Sequence, residues 1–153
     1  MIKKILIVLL VLIVAIGVLS FSCGGSVDED PVAEDPVAED PVSDVDHDGA
    51  YDVYLILQDN MSENYHISMD KEGKTFFITP NSEDFAYEVT LAIGGDPQSM
   101  EDWDNMVSSS KELSQSIYER SGYAYAVRNP LDTDRILLVI SNGIVLYDVV
   151  HDG

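Results

Sequence analysis

Asp96-Pro-Gln-Ser-Met-Glu-Asp-Trp-Asp-Asn-Met-Val-Ser-Ser-Ser-Lys-Glu-Leu-Ser-Gln-Ser-Ile-Tyr-Glu-Arg-Ser-Gly122 holds one periodicity from end to end. Met100, Trp103, Met106, Val107, Ser110, Leu113 and Ile117 fall at three- and four-residue steps, the spacing of one helix face. Asp96 or Ser99 can cap the start, Ser99 with Asp102 making a capping-box pattern, and Gly122 stops the helix. Glu101, Asp102 and Asp104 sit near the start, where the helix dipole favours negative charge. The stretch predicts one long amphipathic helix, so the class of the domain depends on what flanks it.

On the N-terminal side, Tyr51-Asp-Val-Tyr-Leu-Ile-Leu-Gln58 reads as a strand, apolar on both faces in its middle. Tyr65, Ile67 and Met69 alternate with His66, Ser68 and Asp70, the period of a half-buried strand. Lys71-Glu-Gly-Lys74 turns into Thr75-Phe-Phe-Ile-Thr79, giving a hairpin, and Pro80 to Asp84 breaks it. Tyr87, Val89, Leu91 and Ile93 alternate again up to Gly94-Gly95. On the C-terminal side, Tyr123 to Arg128 reads as a strand and Asn129 to Asp134 as a loop. Ile136 to Ser141 and Ile144 to Val150 then flank Asn142-Gly143, which favours a type I′ hairpin because both turn residues need positive φ. The expected fold is α+β: a largely antiparallel sheet of six to seven strands with one long helix across one face, in the order ββββ-α-βββ.

That arrangement leaves a sheet face without a helix. An open antiparallel face should read polar. Tyr54 and Ile56 oppose Val53, Leu55 and Leu57, however, and Leu137 and Val139 oppose Ile136, Leu138 and Ile140. The second face is therefore expected to be covered by sheet curling, by self-association or by a protein partner.

Upstream of the domain, Asp44-Val-Asp46-His-Asp48-Gly49-Ala50-Tyr-Asp52 has D-x-D-x-D-G spacing and resembles calcium loops of the EF-hand and thrombospondin type 3 kinds. The resemblance implies Asp44, Asp46 and Asp48 as ligands, the Ala50 carbonyl as another, and Asp52 acting directly or through water. Alternate carboxylates converge on a hard cation while the glycine permits a sharp turn. Leu55 stands where such loops carry an acid, so a full shell needs Asp40 or a distant carboxylate. Calcium is the one cofactor the sequence suggests.

Residues 24–49 hold ten acids and no Lys or Arg, and Glu-Asp-Pro-Val recurs from Glu29, Glu34 and Glu39. Proline at every fifth position blocks helix and ladder, and neighbouring acids repel, so the segment reads as an extended tether. Before it, Lys3 and Lys4 precede an uncharged apolar run from Ile5 to Phe21, followed by small residues and the only cysteine, Cys23. This is the layout of a secretory signal. Ser22-Cys23 within Leu19-Ser-Phe-Ser-Cys23 is similar to the lipobox of bacterial lipoproteins, although Ser20 stands where the class has leucine. The resemblance implies a signal peptide over residues 1–22, palmitate or a similar acyl chain on Cys23, and a cell-membrane anchor facing outward. Cleavage after Ser22 by ordinary signal peptidase, giving a secreted chain, and an uncut membrane helix are the other outcomes these residues allow. The domain organisation is then signal 1–22, lipidated cysteine and tether 23–49, and one domain 50–153.

Formal charge is −20 for the chain, and residues 50–153 hold 18 acids against six bases. Such a surface repels phosphate backbones, which excludes nucleic acid as a partner. No catalytic group is placed. His47, His66 and His151 are scattered, and Ser108-Ser-Ser110 lies mid-helix without the strand-to-helix elbow of a nucleophilic serine. Gly94-Gly95-Asp96 precedes a helix start, yet nearby acids repel an anion. The sequence reads as a tethered, non-enzymatic interaction module on the cell surface. The alternative is a calcium- or small-ligand-binding domain.

Overall fold

The computed structural model describes residues 49–153. The expected signal over residues 1–22, Cys23, the acidic repeat and Asp44, Asp46 and Asp48 lie outside the described residues. Within them the order is α1 (Gly49–Met61), β1 (Tyr65–Asp70), β2 (Thr75–Pro80), α2 (Glu83–Ile93), α3 (Pro97–Ser121), β3 (Ala124–Asn129), β4 (Asp132–Ser141) and β5 (Ile144–Asp148). The α+β class stands, with three helices rather than one and five strands rather than six or seven.

The long helix forms as its sequence dictates. The Asp96 carboxylate accepts from the Ser99 backbone N–H at 2.9 Å, which holds that carboxyl below its ordinary pKa, and Pro97 opens the first turn. Gly122, at φ 71°, closes it and donates to the Tyr118 carbonyl. The two predicted hairpins also form. Asp70 pairs with Thr75 and Tyr65 with Pro80, while Asn142 and Gly143 take the positive φ values that a type I′ turn needs.

Two predicted strands are helices. Tyr51–Gln58 belongs to α1, which buries Ala50, Val53, Leu57 and Met61 at steps of three and four and leaves Tyr51 and Leu55 exposed. Short apolar runs satisfy helix and strand templates alike, and contact with α3 and β1 settles this one. Tyr87–Ile93 belongs to α2, whose buried side is Phe85, Ala86, Val89 and Ala92; of the four alternating residues only Val89 points inward. The loop expected at Asn129–Asp134 is a tight turn, since Asn129 already pairs with Asp132.

The sheet order is β1-β2-β3-β4-β5, antiparallel throughout except for the parallel pair β2–β3, which α2 and α3 connect. All three helices and one sheet face share a single core, centred on Trp103, Phe76, Phe85, Leu57 and Met61. A bulge decides one side chain. Val127 pairs with Leu138 and Arg128 with Ile136, so Leu137 is the extra residue, and it joins Leu138 in the core instead of opposing it.

Candidate functional site

The described residues offer two places where function can reside. The first is the sheet face opposite the helices. Strand alternation and register set it out in three rows. Asp70, Thr75, Ala124, Ser141 and Ile144 form one, and Ser68, Phe77, Ala126, Val139 and Tyr147 the middle one. His66, Thr79, Arg128 and Ile136 form the third. No helix of the described residues packs there. Ile144 and Tyr147 are exposed, and Leu146, pushed out by a bulge in edge strand β5, is 62 % exposed. The Arg128 guanidinium carbon stands 3.6 Å over the Phe77 ring, and its Nε–H is buried without a partner.

This face is also set apart by charge. The three helices hold ten acids and two bases, Lys111 and Arg120, whereas the three rows of the sheet face carry Asp70, Arg128 and His66 alone, with Asp132, Asp134 and Arg135 on the part of β4 beyond them. A second face covered by curling, self-association or a partner was expected from the sequence, but partly for the wrong residues. Tyr54 and Ile56 are helical, and Leu137 is in the core.

The second place is a cleft of about 430 Å³ between α3 and β5, lined by Asp104, Val107, Lys111 and Val145 among others. Asp148 is buried there, and its Oδ1 accepts from Trp103 Nε1 and from the Val150 backbone N–H, both at 2.9 Å. Its own N–H donates to Asp152 Oδ2, which closes the outer edge of β5 at that end. His151 Nε2 lies 2.8 Å from Asp104 Oδ1. That bond raises the His151 pKa above its ordinary value, and the charges of Asp148, Asp104 and Asp152 add to it.

Sequence reasoning missed this gathering because Asp104 and His151 lie far apart in the chain; the cue was the close spacing of Asp148, His151 and Asp152. The cleft has a histidine and carboxylates but no nucleophile aligned with them. Ser108 lines it without a hydrogen bond to His151. Among the described residues, no group of three or more His, Cys, Asp or Glu side chains could hold a metal ion. None of the helices there is long and apolar enough to cross a membrane.

Of the candidate calcium ligands, two lie within the described residues. Ala50 is buried and Asp52 exposed, both in the first turn of α1. Gly49 is not among the positive-φ glycines. Its requirement is space: a Cβ there would run into the Arg120 carbonyl oxygen. The glycine of the motif thus seats α1 on the end of α3.

No family model matches the chain, and no curated protein or solved structure is similar to it.

Proposed function

We propose that this chain is an extracytoplasmic lipoprotein, anchored through Cys23 and held off the membrane by the acidic tether, whose domain is a non-enzymatic interaction module. The helix-free sheet face is its docking surface. The observation that carries this reading is the contrast between the two layers. Helices cover and shield one face with acids, while the other presents Phe77, Val139, Tyr147 and Ile144 with almost no charge. Interface cores are depleted in charge and enriched in aromatic residues and arginine, which matches the middle row with Arg128 beside it.

The test uses the full chain in its native envelope. A photoreactive benzophenone side chain in place of Phe77 or Val139 is expected to give protein adducts, and the same group in place of Tyr87 on α2 to give none. Adducts from Tyr87 alone would sink the reading. Metabolic labelling with palmitate, abolished by Cys23→Ser, checks the anchor; label retained by that variant would remove lipidation from the account.

A further inference from the structure

The strand register places two charged groups of the helix-free face, Asp70 and Arg128, on one diagonal. Asp70 pairs with Thr75 on β2, and Arg128 follows Val127, the partner of Ile78, so Arg128 lies beside Thr79. Phe77 is midway between Thr75 and Thr79 on the same face. One strand spacing of ~4.8 Å and two residue rises of ~3.3 Å separate Phe77 from each, which puts the Cα atoms of Asp70 and Arg128 about 8 Å from that of Phe77 on opposite sides.

Both ends are held in place. Asp70 Oδ1 accepts from the backbone N–H groups of Glu72 at 3.0 Å and Gly73 at 3.1 Å. Arg128 is stacked on Phe77, and no carboxylate among the described residues pairs with it, although acids outnumber bases 18 to six over residues 50–153. A fixed, unpaired guanidinium and a fixed carboxylate flank one aromatic ring.

The geometry points to a second copy of this chain as the partner, packed sheet against sheet about a twofold axis through Phe77. In such an isologous contact, if residue i meets j of the partner, then j meets i. An axis in the interface plane, perpendicular to the Asp70–Arg128 diagonal, exchanges the two ends. Arg128 of each copy then meets the partner's Asp70, and Phe77 packs on the partner's Phe77 at the centre. The helical layers, with ten acids against two bases, face away from each other, so the repulsion between copies is least in this pose. The inference rests on the reading of this face as an interface. Five strands by six residues give a flat area of about 500 Å² per copy. That is below the ~800 Å² per partner of a standard interface, so the pair is weak in solution and favoured when both copies share a membrane.

The experiment is the mass of the full chain in non-ionic detergent, followed against concentration. The wild type is expected to dimerise reversibly. Arg128→Asp and Asp70→Arg should each weaken self-association about tenfold or more, because like charges then meet across the axis. Mixed together, the two variants should pair with each other, since every Arg again meets an Asp; a merely misfolded variant cannot give that result. A wild type that stays monomeric throughout, or self-association unchanged in Arg128→Asp, which leaves the Asp70 turn intact, overturns the second copy as partner. The photoreactive group at position 77 separates this from the broader reading. Adducts only with a different protein keep the face as an interface and overturn self-pairing, and no adducts at all overturn both.

Discussion

Asp148 ties three parts of the chain together through one carboxylate, and its removal would leave the Trp103 indole N–H and the Val150 amide without an acceptor. Hydrogen bonds to charged groups contribute ~1.5–3 kcal/mol, and a buried donor left unpaired costs about as much again. Asp148→Ala is therefore expected to lose about 2–4 kcal/mol. Urea unfolding followed through the emission of Trp103, the only tryptophan, measures it. His151 makes a prediction of a different kind. Its pKa is raised in the folded chain from 6.5, chiefly by the bond to Asp104. A group raised on folding contributes stability that is complete below its unfolded value and fades as pH climbs through its folded value. Histidine titration by NMR should place the His151 midpoint above 6.5, and Asp104→Asn should bring it down. Because both side chains are about half exposed, solvent screening keeps the effect on stability small.

At the scale of elements, Gly49 makes α1 sensitive to a single methyl group. Gly49→Ala would drive a Cβ into the Arg120 carbonyl, which is backbone and cannot swing aside. Overpacking of this kind costs ~1–3 kcal/mol, so thermal unfolding of the variant should fall below that of the wild type despite the better helix propensity of alanine. The same contact shows what sequence reading can and cannot reach. The cap and stripe of α3, and both hairpins, were legible because their signals are local: Asp96 with Ser99, Asn142 with Gly143, alternation from Tyr65 to Asp70. Helices α1 and α2 were not. Their apolar runs are short, rich in strand formers such as Tyr54 and Val89, and resolved only by docking on α3 and β1. The cleft was illegible for a related reason, since the Asp104–His151 pair depends on how β5 lies along α3. A sheet face without a helix was foreseen, yet its Arg128–Phe77–Asp70 diagonal needs the parallel β2–β3 register, which no local signal encodes.

Across the domain as a whole, acid is concentrated on one layer. Residues 50–153 carry 18 acids and six bases, and most of the excess lies on the helices. Self-repulsion of that kind weakens the compact state and is screened by salt over a Debye length of ~8 Å at physiological ionic strength. Raising salt from low to physiological strength should therefore raise the melting temperature, and a flat or falling trend would count against layer repulsion as a real cost. One more consequence follows from the order of the strands. Chain order and sheet order coincide, so β1–β2, β3–β4 and β4–β5 each close across a short turn, and only the β2–β3 seam joins distant residues, Thr75 to Ala124 and Ile78 to Val127. Local contacts form early in folding, whereas a seam waits until the ordering of the chain between its strands has been offset. The strands thus pair within two halves that share one core and meet late along the seam, with the exposed Gly94-Gly95 link between them. A chain nicked at that link retains each hairpin whole, and its two pieces should find each other again and rebuild the parallel seam.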